Sequence, residues 1–105
     1  MTGEEGAYLF LHNMTLRQYF MDIGRAFTKN AELYEDLIQE AWMRVCEEPR
    51  DKTDEYYMRA GFRAMDAYYR KELRGRRWNK PIEPKSKEYD ALKHRIYYRQ
   101  KRYKK

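Results

Sequence analysis

Two groups of side chains in this chain have types and a spacing that could do chemistry. The first is Asp36, Gln39, Glu40 and Met43, with Arg44 beside them. At a helical repeat they share one face, with hydrogen-bond acceptors set around an apolar thioether. Such a face suits a basic partner, whose charged donors form the stronger class of hydrogen bond with carboxylates. On the residues alone, the plainer reading is a solvated helix surface. The second group is Tyr56, Tyr57, Arg59 and Arg63, continued by Arg70, Lys71, Arg74, Arg76 and Arg77. Guanidinium groups hold phosphates and flat rings stack on bases, so this group points to nucleic acid.

Catalytic and metal chemistry are not indicated. His12 and His94 are far apart, and neither stands at a ligand spacing from Cys46. A zinc site needs about four such ligands. There is no Gly-rich phosphate loop and no Ser-His-Asp or Cys-His pattern. The expectation is a protein that is not an enzyme and uses no cofactor and no metal.

The elements that position these groups read as helices, because Gly and Pro are sparse before Leu73. Thr15-Leu-Arg-Gln18 has the form of a capping box, and Leu16, Phe20, Ile23 and Phe27 follow at helical spacing, which predicts a first helix over 15–28. Asn30 is placed to cap a second helix, with Glu32 in its first turn and Leu33, Leu37, Ile38, Ala41 and Val45 as its apolar stripe, ending before Pro49. A third helix runs from Asp54 to about Arg74, with Gly75 as its stop. Its stripe of Ala60, Gly61, Ala64, Met65, Tyr68 and Tyr69 is mostly small and suits close helix packing, with Arg59, Arg63, Asp66 and Arg70 opposite. Tyr68 and Tyr69 are therefore expected in the core, whereas Tyr56 and Tyr57, beside the polar loop Glu48–Thr53, are expected at the surface. Pro81-Ile-Glu-Pro84 reads as a stiff linker, and Ser86 as the cap of a last basic helix with Tyr89, Leu92 and Ile96 as a thin apolar face.

Composition narrows the class. A chain of 105 residues holds one domain. Eleven tyrosines, rings with a polar tip, favour half-buried sites and stacking surfaces over a deep core. No apolar run approaches the roughly 18 residues a membrane-spanning helix requires. Ala7–Leu11 is too short for a secretory signal and reads as a packing strand or a turn of helix. The single Cys46 fits a reducing cytoplasm. The net charge of +6 is divided unevenly: residues 1–58 carry six Lys/Arg against twelve Asp/Glu, and residues 59–105 carry seventeen against five. A split of that kind suggests two partners of opposite character, the second a polyanion.

From Leu16 to Arg77 the chain resembles region 2 of bacterial sigma factors of the sigma-70 family. Asp36-Leu-Ile-Gln-Glu40 matches the Asp-Leu-x-Gln-Glu core of region 2.2, which binds a coiled coil of the RNA polymerase β′ subunit. The resemblance thus implies that Asp36, Gln39, Glu40 and Met43 dock on core polymerase. Aligned on Arg59, Tyr56 and Tyr57 stand where housekeeping sigma factors carry the aromatic pair that wedges against the upstream edge of the melted −10 element. Ala60 and Arg63 fall at slots that contact a base pair there; alanine is a departure, because it cannot bond a base edge. Arg59…Asp-Ala-Tyr-Tyr-Arg70 is also close to the extracytoplasmic-function sigma factors, whose helix typically ends Asp-Tyr-Leu-Arg; here the acid is displaced by one position, to Asp66. The basic exit Arg70-Lys71 and Arg74-Gly-Arg-Arg77 is likewise characteristic. A complete sigma factor also has region 4, a helix-turn-helix that reads the −35 element, and the residues after Arg77 are too few and too linear to form it. In its place stands a basic segment with Tyr97, Tyr98 and Tyr103 set among Lys and Arg, which fits nucleic acid and equally a solubilising end.

The expected architecture is all-α: an N-terminal arm (1–14), a three-helix sigma region 2-like bundle (15–77), and a basic C-terminal linker and tail with a helical extension (78–105). The implied function is a sigma-like transcription initiation factor, cytoplasmic and phage- or mobile-element-encoded or half of a two-part sigma. It would dock on core RNA polymerase and bind and melt −10 promoter DNA, with a second protein supplying −35 recognition. Two alternatives stand beside it: a polymerase-binding regulator or decoy that competes with sigma, and a stand-alone helical nucleic-acid-binding protein.

Overall fold

The computed structural model describes residues 2–75 and 87–103, with side chains for 2–71 and 90–103. Every described element is a helix, in the order α1 (Gly3–His12), α2 (Met14–Phe27), α3 (Ala31–Glu47), α4 (Asp54–Gly75) and α5 (Lys87–Lys101). The expected all-α fold is what forms. The expected linker Pro81–Pro84 and the cap at Ser86 lie outside the described residues.

Local signals explain most helix ends. Thr2 caps α1: its Oγ1 accepts from the Glu5 N–H (3.2 Å) and its hydroxyl donates to Glu5 Oε1 (3.2 Å). The segment expected as an arm is therefore a capped helix, and it packs: Gly6 is buried against Cys46, with no room for a Cβ. Asn13 closes α1 and opens α2. Its N–H donates to Leu9 O (2.9 Å), its Oδ1 accepts from the Leu16 N–H (2.9 Å), and its Nδ2 donates to Asp54 Oδ1 (2.8 Å). Asn13, not the expected Thr15, is the cap of α2, since an asparagine at the corner also reaches the start of α4. Asn30 caps α3 as expected, accepting from the Leu33 N–H (2.9 Å). At the loop before α4, Asp51 adopts φ 65°, a region Asp tolerates better than most residues.

The core is one cluster. Leu16, Phe20, Ile23, Leu37, Val45 and Met65 are fully buried, and Leu92 and Ile96 join them from α5. α2 runs through the middle, with α3 and α4 beside it and α5 on its remaining side. The tightest crossing is at Phe20, whose ring occupies the space that a side chain at Gly61 would need. Trp42 of α3 meets the same ring edge-on at 5.2 Å.

α5 corrects the expectation of a separate tail. Besides its two apolar residues, Arg95 Nε donates to Ala26 O (3.1 Å), at the C-terminal end of α2 where carbonyls lack helical partners. Arg99 Nη1 donates to Asp22 O (3.0 Å) and Asp22 Oδ1 (2.7 Å), and Gln100 Nε2 donates to Tyr19 OH (3.1 Å). Tyr103 packs edge-on against Tyr19 at 5.1 Å. Burial, only partly offset by the Gln100 bond, pushes the Tyr19 phenol up to about 12, and burial together with Asp22 raises Tyr103.

Two substitutions test this packing. Gly61→Ala gains up to about 1 kcal/mol of helix propensity but overpacks a ring with no exposure, at about 1–3 kcal/mol; a net loss in denaturant unfolding is expected, together with shifted NMR resonances of Phe20. The raised Tyr19 pKa favours the protonated, folded state, so its contribution is complete below pH ~10 and is lost as pH rises toward about 12. Unfolding across that window should show the wild type losing about 2 kcal/mol more than Tyr19→Phe, which keeps Tyr103 and so isolates Tyr19.

Candidate functional site

The two motif helices, α3 and α4, are direct neighbours. α4 buries Tyr57, Met58, Gly61, Met65 and Tyr69 and half-buries Ala60, Ala64 and Tyr68, so the expected small-residue stripe is the packing side. That orientation decides where its arginines go. At about 100° per residue, Arg59, Arg63 and Arg70 fall within about 40° of one another on the side opposite the core. All three are exposed. Arg59 and Arg63 make no ion pair among the described residues, and their charge is open to an external anion. Arg70 Nη2 bonds Asp66 Oδ2 at 2.9 Å one turn back, which offsets part of its charge. Lys71 is exposed beside it. Arg76 and Arg77 lie outside the described residues, as does the side chain of Arg74.

The tyrosine pair does not behave as a pair. Tyr57 is buried, with 3% of its surface exposed. Its hydroxyl donates to Pro49 O (2.7 Å) and accepts from the Lys52 N–H (3.3 Å), so it pins the loop between α3 and α4 from below. The expectation that both rings stand free at the helix start is corrected here: a bulky ring one position from Met58 and four from Gly61 falls on the core side. Tyr56 is 39% exposed, on the flank of the arginine face. Its hydroxyl donates to Glu48 Oε2 (2.7 Å), Lys52 Nζ lies 5.6 Å from its ring centre, and the bond to Glu48, more than burial, raises the phenol above its usual pKa.

On α3 the four acceptor-face residues also divide. Gln39 and Met43 are exposed, Met43 by 53%. Glu40 is half-buried on the flank toward α4 and has no ion pair among the described residues. Asp36 is half-buried and accepts from the Tyr68 hydroxyl (3.1 Å), which ties α3 to α4. Arg44 bonds Glu48 (3.1 Å) and lies near Glu47 (3.6 Å). The surface left for a partner is therefore Gln39, Glu40 and Met43, with Asp36 holding the scaffold.

Beside Gln39 and Met43 lies an open groove of ≈ 820 Å³ that the sequence pattern did not reveal, lined chiefly by Phe10, Met21, Tyr34, Ile38 and Trp42. Phe10 meets Trp42 edge-on at 5.3 Å, and the Arg17 guanidinium sits 5.2 Å from the Phe10 ring centre. Among the described residues no three His, Cys, Asp or Glu side chains converge as a metal site, and no helix is long and apolar enough to cross a membrane.

Comparison of the chain with protein-family models, with curated proteins and with solved structures finds no match.

The two tyrosines should separate cleanly under substitution. Tyr57→Ala removes a buried ring and two loop bonds and is expected to cost about 3 kcal/mol or more in urea unfolding. Tyr56→Ala, at an exposed ring, should change stability by less than about 1 kcal/mol. A comparable loss for both would refute the division between pin and surface ring.

Proposed function

We propose that this protein is a sigma-like transcription initiation factor. It docks on core RNA polymerase through the outer face of α3, by Gln39, Glu40 and Met43, against the β′ subunit. It binds and melts −10 promoter DNA with the exposed face of α4, Arg59, Arg63, Arg70 and Lys71 neutralising phosphates and Tyr56 stacking at the strand fork. A second protein supplies −35 recognition. The observation that carries this reading is the placement of the two motifs on adjacent helices. The acceptors of α3 and the unpaired arginines of α4 both remain available to partners while the residues between them pack. A ring that replaces a lost base stack returns about 1–3 kcal/mol, enough to matter at a fork.

The burial of Tyr57 favours a second reading, since one ring is a weaker wedge than two. In that reading the domain occupies the polymerase and competes with sigma without opening DNA.

The test is a pull-down of bacterial core RNA polymerase, wild type beside Glu40→Lys. Retention of the wild type and a tenfold or greater weakening by the charge reversal are expected. No retention of either overturns both polymerase readings and leaves a stand-alone nucleic-acid binder, whereas equal retention of both overturns docking through α3. Where docking holds, permanganate mapping of promoter opening separates initiator from regulator: Tyr56→Ala lowers opening for the former, and wild type opens nothing for the latter.

A further inference from the structure

α5 presents to solvent a surface that neither motif accounts for. Its basic residues divide by side: Arg95, Arg99 and Arg102 turn toward α2, bonding Ala26 O or Asp22. Away from α2, Tyr97 and Tyr98 are 47% and 64% exposed. Their rings lie 6.0 Å apart at 64°, and Lys101 Nζ sits 4.7 Å from the first ring centre and 5.6 Å from the second. The arrangement is a cation held over two exposed rings, on a segment (87–105) with eight Lys/Arg against two acids.

An occupant of this surface has to offer flat apolar faces and negative charge together. An acidic peptide offers the charge without the faces, and duplex DNA hides its base faces in the stack. A single strand offers both, since every base has a π-face and every linkage a phosphate. Position supports the same occupant. Gln100, one turn beyond Tyr97, lines a groove of ≈ 390 Å³ together with Arg59, Phe62 and Tyr103, so this end of α5 and Arg59 of α4 flank the same groove. We propose that Tyr97, Tyr98 and Lys101 form a second nucleic-acid site, a stacking platform for unpaired bases of single-stranded DNA. The choice of DNA rests on the promoter-binding reading; the platform itself needs no polymerase.

The test uses the full chain and fluorescence anisotropy with a labelled single strand of about 12 nucleotides, an abasic strand of the same length, and the matching duplex. The double variant Tyr97→Ala/Tyr98→Ala should weaken the single strand about fivefold or more and change the abasic strand and duplex by less than about twofold. Tyr97→Trp/Tyr98→Trp should restore binding, which excludes misfolding as the cause. Lys101→Ala should lower the salt slope of single-strand binding by about 0.7. Equal wild-type affinity for normal and abasic strands overturns the platform, as does an equal loss on all three probes. Tenfold tighter binding of the RNA strand of the same sequence overturns the assignment to DNA. Because no polymerase is present, failure here leaves docking through α3 intact, and failure of the pull-down leaves this site intact.

Discussion

The ring of Phe20 is the point on which the bundle depends. It is fully buried at the centre of α2, takes the space left by Gly61 on α4 and meets Trp42 on α3 edge-on. Close approach at a glycine fixes both the distance of α4 from α2 and its rotation about its own axis. Rotation is what matters for function. With Gly61 turned inward, the positions on the far side of the helix are Arg59, Arg63 and Arg70, and none of them can be drawn into the core. A side chain at position 61 would push the helix away or turn it, and the arginine face would turn with it.

Around that contact, many of the polar groups that look functional hold the fold together. Asp36 takes the Tyr68 hydroxyl, Tyr57 binds the backbone of the loop before α4, and Asp22 receives Arg99. Asp36 and Tyr57 are groups that the sequence pattern assigns to a surface and that geometry assigns to an internal contact. The result is economical in a physical sense: half-buried polar atoms that would otherwise be unsatisfied find partners on a neighbouring helix. Among the candidate residues, those left without such a contact are Gln39, Glu40 and Met43 on α3 and Arg59, Arg63 and Lys71 on α4.

α5 shows the same economy at larger scale. Arg95 and Arg99 serve the contact with α2, the first capping a carbonyl at the end of that helix, while Tyr97, Tyr98 and Lys101 stay outside. A basic helix could dock here because α2 offers Asp22 and free carbonyl groups to receive its donors. The acidic front half of the chain and the basic back half are thus partly each other's partners, and a share of the charge asymmetry is neutralised within the molecule.

Helix spans for α3 and α4, the cap at Asn30, and the inward set Leu16, Phe20, Ile23, Leu37, Val45 and Met65 were determined by the sequence itself. Periodicity of apolar residues and the polarity of the loop between them are local properties, and they suffice to say which side of each helix is buried. So was the clustering of Arg59, Arg63 and Arg70, which comes from spacing alone. Tertiary structure decided the rest. Asn13 outranks Thr15 as a cap because it also reaches Asp54, forty-one residues away. Tyr57 is a pin and Tyr56 a surface ring because a one-position step rotates a side chain by about 100°, across the boundary between core and water. The Thr2–His12 segment and the Leu92–Tyr103 segment are parts of the bundle because Cys46 and Asp22 receive them. Those contacts join residues distant in the chain, and no local pattern encodes them.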